Sequence, residues 1–448
     1  MQIRAILLWV LITSLLSFNH AGPDVRLRIA TEMETSIRDH LLARWYPRSI
    51  DSLEGGFTST YSFDFKPTGT QDKMIVTQAR HTWTNAKAAL LYPTVNHYKS
   101  GARHGFHFLR DFMWDKEYGG FYTLVDRQGK VKNEEAKTAY GNAFGLYSMA
   151  AYYAASRDKA ALDLAIKAFR WLENGSHDSL RKGYFQHLQR NGKPLKRDSS
   201  VVSTSDLGYK DQNSSIHLLE AFTELYSVWP DALLKKRLEE MLLLIRDTIT
   251  TPKGYLTLFL QPDWKPVSFK ESSKEQILKH HNLDHVSFGH DVETAFLMLE
   301  ASHALGIHDD KKTLIVAKRM VDHALDNGWD EKTGGFYDEG YYFKETPGIT
   351  ITRDTKNWWA QAEGLNTLLL MADLFPKDNM QYFKKFTQLW DYCQKYLIDQ
   401  NHGDWYESGL DKSPQARSAL KGHIWKAAYH QYRSLSNCIQ QLRKSPEK

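Results

Sequence analysis

The sequence predicts an all-α fold, an (α/α)6 barrel of six helical hairpins, on the basis of three observations. A glycine followed by aromatic residues recurs six times, at intervals of roughly 64 to 80 residues, which is room for two helices and their connections. Helical periodicity flanks each glycine, and no long alternating strand pattern is present. A closed ring is therefore favoured over an open superhelix. The six loops begin at Gly55, Gly119, Gly183, Gly254, Gly334 and Gly403.

Twelve candidate helices fill this plan in chain order. One helix precedes each glycine loop, at residues 29–44, 95–113, 158–174, 230–248, 309–326 and 380–399. A second helix follows each loop, at residues 72–91, 134–155, 208–228, 286–305, 356–374 and 419–439. The links between successive pairs carry proline stop signals such as Tyr92-Pro93 and Phe375-Pro376. We therefore expect each glycine loop to lie inside one hairpin, and the helices after the loops to form the inner ring.

The ends and connections of the chain complete the domain plan. Arg4, an apolar run over residues 5–16 and small residues up to Ala21 predict a signal peptide at 1–21, and hence a periplasmic or secreted protein. The apolar run is too short for a comfortable membrane span. No linker rich in proline or serine divides the rest, so we expect one catalytic domain over 22–448, with rim insertions at 186–207 and 255–284. Cys393 and Cys438 are too few for a disulfide framework, and their pairing is left open.

Composition excludes some classes of partner. The chain is 42% hydrophobic and 25% charged, which suits a globular protein with a large core. A net charge of +5 with interspersed acids and bases disfavours nucleic-acid binding. The 13 tryptophans and 23 tyrosines suit both a helical core and the stacking faces of sugars. We expect a small-molecule partner, no membrane contact once the signal is removed, and a monomer or weak dimer.

The stretch from His285 to Glu300 carries the first chemical signal. His290 and Glu293 stand three residues apart and share a face near the start of a predicted helix. An imidazole beside a carboxylate is suited to proton transfer near neutral pH. A purely structural pair on a core helix is the alternative interpretation.

Comparable polar residues occur on the other helices that follow glycine loops. If those helices form the inner ring, the residues converge on one mouth of the barrel and line a concave pocket. The alternatives are a surface ion pair for Arg80, a core role for His217 and core packing for the tryptophans. A zinc site at His217, His290 and His430 lacks a compact ligand motif, so no metal is expected. The converging residues are Arg80, Trp83, Asn213, His217, Glu220, His290, Glu293, Trp358, Trp359, Glu363, Trp425 and His430.

Five motifs together resemble a known family. They are RHTWT from Arg80, DQNSSIHLLEAFTELY from Asp211, FGHDVETAFLML from Phe288, NWWAQAEGL from Asn357 and GHIWKAAYHQYRSL from Gly422. The set is similar to the N-acylglucosamine 2-epimerase superfamily over essentially the whole mature chain. Asp291 and Gln361 resemble its cellobiose 2-epimerase branch, which includes mannobiose 2-epimerases. The resemblance implies an (α/α)6 barrel that acts on reducing sugars without a metal or redox cofactor.

The resemblance also implies roles for individual residues. His290 and His430 would be the two acid/base groups, and Arg80 and His217 would contact the reacting end of the sugar. Trp359, Glu363, Glu293 and Trp425 would position the sugar, and Asn213 and Trp358 are further candidates for the binding surface. The chemistry suits these residue types, because loss of the C2 proton of an open-chain aldose gives an enediolate whose oxyanion an arginine can stabilise.

We therefore predict an isomerase, a 2-epimerase for reducing-end glucose and mannose in β-1,4-linked disaccharides. Arg80 is followed by His81, Thr82 and Trp83, where relatives of this branch carry a more apolar run, so an aldose-ketose isomerase for mannose-type sugars stays an alternative. A glycoside hydrolase using Glu293 and Glu363, and a sugar-binding protein without catalysis, are the remaining alternatives. Other histidines, such as His280, His281 and His303, are expected on the surface or rim.

Overall fold

The computed structural model describes residues 23–198, 203–307 and 310–444 and contains twelve long helices in that part of the chain. The predicted signal segment 1–21 lies outside the described residues. The outer helices are α1 (Pro23–Thr35), α3 (Asn96–Phe108), α5 (Lys159–Gly175), α7 (Ala232–Leu244), α9 (Lys311–Gly328) and α11 (Tyr382–Tyr392). The inner helices are α2 (Ile75–Leu91), α4 (Ala139–Ser156), α6 (Gln212–Val228), α8 (Phe288–Ala304), α10 (Trp358–Leu374) and α12 (Tyr429–Arg443). Four outer helices continue as π-helical turns, at Ser36–Leu42, Leu109–Met113, Ile245–Ile249 and Cys393–Leu397.

The inner helices form a closed ring. Each one contacts the next, and α12 returns to contact α2. Nearly every residue in the first turns of an inner helix is buried, because one face meets the outer helices and the other faces the barrel interior. The first outer helix, α1, packs against α12 and so seals the two ends of the chain together. The predicted (α/α)6 barrel is confirmed.

The pairing within the barrel differs from the expectation. Each outer helix after α1 packs mainly against the inner helix that precedes it, as α5 does on α4 and α11 on α10. The reason is loop length, since only Arg157 and Asp158 join α4 to α5, and so short a link forces antiparallel neighbours. The longer glycine loops connect one such pair to the next inner helix. The prediction that each glycine loop lies inside a hairpin is therefore wrong, although the count of six is right.

Short strands stand at the starts of the inner helices. The pairs are β1 (Lys73–Met74) with β2 (Leu124–Val125), β3 (Ala136–Thr138) with β4 (His187–Gln189), and β5 (Lys210–Asp211) with β6 (Phe259–Leu260). A three-stranded antiparallel sheet contains β7 (Val286–Ser287), β8 (Glu339–Tyr341) and β9 (Thr350–Arg353). The insertion at 255–284 also carries a short helix, Lys274–Lys279. These elements surround one mouth of the barrel, where the inner helices begin.

Buried lysine-aspartate pairs hold five of the six glycine loops in the described chain. The Nζ to carboxylate distances are 3.2 Å for Lys73 and Asp51, 2.8 Å for Lys137 and Asp115, 2.8 Å for Lys210 and Asp178, 2.7 Å for Lys356 and Asp330, and 2.6 Å for Lys426 and Asp404. In the fourth loop, Thr251 and Val286 occupy the corresponding positions. A buried ion pair is costly to break once formed, so these five loops have fixed positions.

Side chains of the inner helices also hold the loop backbones. Gln361 accepts the Phe336 N–H at 2.8 Å and donates to the Phe336 carbonyl at 2.9 Å. This close approach needs Gly335, whose φ is +90° and where a Cβ would lie 3.0 Å from Gln361 Oε1. In the fourth loop Asp291 accepts the Leu256 N–H at 2.9 Å. Gln361 and Asp291, which carried part of the family resemblance, thus act as loop supports in the structure.

One helix boundary is corrected. The sequence predicted the last inner helix over 419–439, whereas α12 is Tyr429–Arg443. Residues before it form a turn in which His423 and Lys426 pair through their backbones, and the Arg80 guanidinium donates to the Trp425 carbonyl. Trp425 therefore lies on the rim loop and not on an inner helix.

The lengths of the helices and the burial of the two cysteines bear on membrane crossing and on thiol chemistry. None of the helices in the described ranges has both the length and the apolar character needed to cross a bilayer. Cys393 and Cys438 are both buried free thiols. Burial raises the pKa of each thiol, so neither is a reactive thiolate.

Candidate active site

The internal repeat places one side chain from each inner helix at the same height inside the barrel. Counting seven residues on from the loop lysine, or from Val286 in the fourth repeat, gives six equivalent positions. All six side chains are buried in one layer, and the barrel interior between this layer and the mouth is the candidate pocket. They are Arg80, Phe144, His217, Glu293, Glu363 and Arg433.

Arg433 contacts three carboxylates in and beside this layer, and the sequence patterns did not predict it as a site residue. Its Nη2 lies 2.6 Å from Glu293 Oε1 and 2.8 Å from Glu363 Oε1, and its Nη1 pairs with Glu220. Burial opposes the charge, but Glu220 and Glu363 outweigh it and hold the pKa of Arg433 well above its usual value. The available signal was positional, since Arg433 falls at the same place in its repeat as Arg80.

His430 stands on this charged layer. Its Nδ1 lies 2.7 Å from Glu363 Oε1, the oxygen that also meets Arg433. Burial raises the pKa of Glu363, and Arg433 opposes that rise. Because an ionised carboxylate only accepts hydrogen bonds, Nδ1 donates and Nε2 keeps its lone pair. Burial, followed by the charge of Arg80, holds the pKa of His430 well below its usual value, so the ring is neutral and available as a base.

His290 has a different partner. Its Nδ1 is 2.8 Å from the Ser287 hydroxyl, at the junction of β7 and α8. Burial lowers the pKa of His290 to about 3, with smaller contributions from nearby histidines, and the side chain stays partly accessible from the mouth. The Trp359 ring lies 4.7 Å from the His290 ring and 6.0 Å from the His430 ring. Two neutral imidazoles thus flank one indole.

Arg80 contributes an uncommitted positive charge. Nη1 donates to the Trp425 carbonyl at 3.1 Å and Nη2 donates to the Tyr140 hydroxyl at 3.3 Å. The guanidinium also lies over the rings of Phe144 and Tyr429, at 4.6 and 5.0 Å. All of these partners in the described chain are neutral, so the alternative of a surface ion pair is not what the structure shows. The charge remains available to an anionic group in the pocket.

His217 is held by Glu220 through one ring nitrogen. Its Nδ1 lies 2.9 Å from Glu220 Oε2, while the other oxygen of Glu220 accepts from the Tyr429 hydroxyl at 2.5 Å. Burial acts to raise the pKa of Glu220, but Arg433 and His217 hold it well below its usual range. The face of the His217 ring toward the pocket is bounded by Phe144, at 4.8 Å between ring centroids. This imidazole has a fixed orientation, which suits a binding role.

The structure brings most of the predicted site residues together and leaves three at the margin. Trp358 is buried near Lys426, whose Nζ lies 5.5 Å from its ring, and next to His423 of the rim loop. Trp425 is 47% exposed on the rim. Asn213 is partly exposed, one helical turn before His217. The gathered set is Arg80, His217, His290, Glu293, Trp359, Glu363 and His430.

A metal does not fit the centre of this site. Glu293, Glu363 and His430 offer ligand atoms within 4.8 Å of one another, a spacing a cation could use. Arg433 already pairs with both carboxylates, however, and Glu363 also accepts from His430. The guanidinium therefore supplies the positive charge that a metal would bring.

Comparison with known proteins fits this geometry. The family model described as N-acylglucosamine 2-epimerase matches residues 55–434, which include all six glycine loops and every gathered site residue. The chain belongs to this family. The family resemblance and the prediction of an isomerase, drawn from five motifs, are confirmed.

Individual members of the N-acylglucosamine 2-epimerase family resemble the chain over nearly its full length. A cellobiose 2-epimerase from Bacteroides fragilis is 27% identical over 418 residues, 92% of this chain and 98% of that protein. A D-mannose isomerase from Marinomonas mediterranea is 25% identical, over 90% of this chain and 95% of its own. The structure of a cellobiose 2-epimerase from Spirochaeta thermophila aligns with a TM-score of 0.80 and 26% identity, covering 94% and 98% of the two chains. These relatives are all sugar isomerases, so a carbohydrate 2-epimerase is the activity they support.

Proposed function

We propose that the protein interconverts glucose and mannose at the reducing end of a β-1,4-linked disaccharide by moving the C2 proton between two histidines. One observation carries the proposal: His290 and His430, both neutral, flank Trp359 and are each held at Nδ1 by a separate partner. A sugar lying against the indole would have both imidazoles close to it, and inversion at C2 requires that they act from opposite faces. The names of the two cellobiose 2-epimerase relatives support the class of substrate.

The reaction balances with these groups and solvent water. One neutral histidine removes the C2 proton, the C2–H electrons form the C1–C2 double bond, and the former aldehyde oxygen becomes an enediolate oxyanion. Arg80 is placed to stabilise that oxyanion, because its charge is not neutralised by a carboxylate. The second histidine takes a proton from solvent water and delivers it to the opposite face of C2, which regenerates the aldehyde with inverted configuration. The first histidine returns the C2 proton to solvent, so both rings end the cycle neutral.

The carboxylate layer serves His430 in this scheme. When His430 takes up a proton, Glu363 stabilises the imidazolium through the existing 2.7 Å contact. Arg433 keeps Glu363 and Glu293 in place and balances their charge. Glu293 and Trp359 position the sugar, with Trp359 as the stacking surface.

An aldose-ketose isomerase is the second candidate. The match to a D-mannose isomerase over nearly the same length favours it as the rival. It would use the same enediolate but return the proton to C1, for which one histidine is enough. A glycoside hydrolase is disfavoured, since Glu293 and Glu363 are both buried and both paired with the same nitrogen of Arg433.

Proton NMR in heavy water tests the proposal. The mature protein, His290→Ala and His430→Ala are incubated with cellobiose, β-1,4-mannobiose and free mannose. We expect deuterium at C2 together with the C2 epimer of a disaccharide, reduced about 10²- to 10⁴-fold in each variant. Ketose signals would move the assignment to an isomerase, and released monosaccharides or unchanged turnover in either variant would contradict it.

We also propose that the enzyme works outside the cytoplasm on oligosaccharides present there. The support is the sequence of Arg4, the apolar run 5–16 and the small residues up to Ala21. Amino-terminal sequencing of the protein recovered from a bacterial periplasm tests this. A mature start near Gly22 is expected, and retention of Met1 in the cytoplasmic fraction would contradict it.

A further inference from the structure

Three potential metal ligands meet on the rim, outside the site described above. His281 lies in the turn after the short helix Lys274–Lys279, His285 directly precedes β7, and Glu339 begins β8. One ligand atom from each lies within 4.8 Å of the other two. All three side chains are partly accessible, with 12 to 18% of each exposed. We propose that His281, His285 and Glu339 form a binding site for a divalent transition metal of the zinc class.

The distances between the donor atoms support a bridging ion. His281 Nδ1 is 3.5 Å from Glu339 Oε2, and His285 Nε2 is 3.8 Å from Glu339 Oε1. Both separations exceed the usual 2.7 to 3.2 Å of an N–H···O hydrogen bond. They approach about 3.3 Å, the edge of a tetrahedron with metal-ligand bonds of about 2.0 to 2.1 Å. A small closing movement of the three side chains would complete three positions of such a tetrahedron, and water would take the fourth.

Neighbouring groups set the histidine tautomers that a metal needs. His285 Nδ1 lies 2.8 Å from the His281 carbonyl, which only accepts, so Nδ1 carries the proton and the Nε2 lone pair faces Glu339. His281 Nε2 lies 3.2 Å from the Thr352 hydroxyl, which leaves Nδ1 directed at Glu339. Backbone and side-chain partners on the far nitrogen are what orient the histidine ligands of metals. The two rings are stacked and nearly parallel, with their centroids 4.9 Å apart, so the two histidines lie side by side at Glu339.

Glu339 can bind a metal ion and keep its ion pair with Arg353. Arg353 donates to Glu339 Oε1 at 2.9 Å from a side chain that is 58% exposed. Oε2, which faces His281, is the oxygen left for the ion. Arg353 then stays hydrogen-bonded to the metal-bound Glu339, or its side chain moves into solvent. The second change costs little free energy, because a surface ion pair contributes little to stability.

The proposed metal site is linked to His290 of the pocket through the β7 and β8 ladder. Glu339 stands directly opposite Ser287 in the β7 and β8 ladder, and Ser287 bonds to His290. The fourth loop lacks the lysine-aspartate pair found in the other five. A metal joining His281 and His285 to Glu339 would tie the segment before β7 to β8 and so steady the strand that holds Ser287.

Metal binding by the intact mature protein tests the proposal. The protein is dialysed against chelator, then titrated with Zn²⁺ in a calorimeter and with Co²⁺ in a spectrophotometer. We expect one ion per chain, visible d–d bands typical of tetrahedral Co²⁺, and a higher Tm with Zn²⁺. His281→Ala, His285→Ala and Glu339→Gln are each expected to weaken binding by at least the ten- to hundredfold that loss of a ligand's supporting partner costs.

Three control variants locate the ion. His303→Ala on the outer part of α8 and His430→Ala in the pocket should both bind Zn²⁺ as the parent does. Arg353→Gln should bind equally well or more tightly, because it removes a positive charge beside the ion. The proposal is overturned if no ion binds, if His281→Ala and His285→Ala bind normally, or if only His430→Ala loses binding. Circular dichroism of each variant shows that a loss of binding does not reflect unfolding.

Discussion

The two histidines at the pocket have the same ring and opposite surroundings. His430 lies on α12, 6% exposed, with its Nδ1 on a carboxylate that belongs to the Arg433 network. His290 lies at the start of α8, partly accessible, with its Nδ1 on the Ser287 hydroxyl next to the rim sheet. A carboxylate stabilises an imidazolium, whereas a hydroxyl mainly orients the ring. The two bases should therefore not respond alike when their partners are changed.

The contrast follows from the internal repeat. His290 and His430 occupy equivalent positions on their helices, four residues after Val286 and Lys426, respectively. Both rings face the same cavity, and they differ in the residue that holds Nδ1. Glu363 of α10 reaches His430, while β7 supplies Ser287 to His290. Equivalent backbone positions can thus hold imidazoles with unlike hydrogen-bond partners.

Removing Arg80 should have the largest effect, because its charge acts on the reacting oxygen and on His430 together. Arg80→Met is expected to lower kcat about 10²- to 10³-fold, the usual cost of losing an oxyanion donor. It should also raise the pKa of His430, whose lowering by burial is assisted by Arg80. Rate measurements from pH 5 to 9 on Arg80→Met and Arg80→Lys check this, with the lysine variant keeping the parental pH profile. A methionine variant with an unchanged profile would contradict the assigned charge effect.

Glu363→Gln should reduce kcat roughly ten- to hundredfold, since a hydrogen bond to a charged group contributes about 1.5 to 3 kcal/mol. Glutamine keeps the shape but cannot stabilise the His430 imidazolium. Glu293→Gln is the matched control, because Glu293 meets the same nitrogen of Arg433 without bonding to His430. Steady-state rates and thermal unfolding of both variants separate the roles. Equal rate losses with equal loss of stability would mean that the carboxylates only hold Arg433.

Ser287→Ala should have a smaller effect, about two- to tenfold on kcat, because a neutral hydrogen bond contributes about 0.5 to 1.5 kcal/mol. Ser287→Thr retains the hydroxyl and should stay near the parental rate. Deuterium incorporation at C2, measured by NMR, follows the step that the variant slows. A loss as large as that of Glu363→Gln would remove the contrast between the two histidines.

His81 extends the comparison to a buried histidine outside the pocket. Its Nδ1 meets the Tyr46 hydroxyl at 2.9 Å, and burial lowers its pKa from 6.5 to about 3. The folded protein keeps this ring neutral while the unfolded chain takes up a proton below pH 6.5, so the free energy of unfolding falls as pH drops from 6.5 toward 3. His81→Asn should make that decline shallower and change kcat little.

Denaturant unfolding of the parent and His81→Asn at pH 7, 5.5 and 4.5 measures the decline. As the pH drops, the free energy of unfolding of the parent should fall more steeply than that of His81→Asn. The changed packing in the variant adds an offset that does not depend on pH. A parallel decline in both proteins would mean that other groups cause the acid sensitivity.

The fold and much of the pocket could be predicted because they are encoded by local patterns. The glycine repeat and the helical periodicity give twelve helices, and the positions of Arg80, His290, Glu363 and His430 early in the inner helices place them at one mouth. Helix faces are set within a few residues of sequence, so these inferences needed no knowledge of distant contacts.

The missed features depend on distant contacts. Arg433 looked like an ordinary helix residue because its partners Glu220, Glu293 and Glu363 come from three other helices. Trp425 was placed on a helix because the contact that shapes its turn comes from Arg80, far away in the sequence. The lengths of the links between helices are visible in the sequence. The prediction nevertheless puts the longer glycine loops, and not the short links, inside the hairpins, so it pairs the outer and inner helices wrongly.

The contact between α1 and α12 joins the two ends of the described chain. α12 comes last among the described helices, and it carries both His430 and Arg433. Arg26 near the amino terminus reaches the Gln441 carbonyl, and Glu34 pairs with Arg443, so the first and last segments dock on each other. Without α12, Glu220, Glu293 and Glu363 would lack the counter-ion that Arg433 supplies. On the proposed mechanism, a chain that has not yet closed the ring is therefore expected to be inactive.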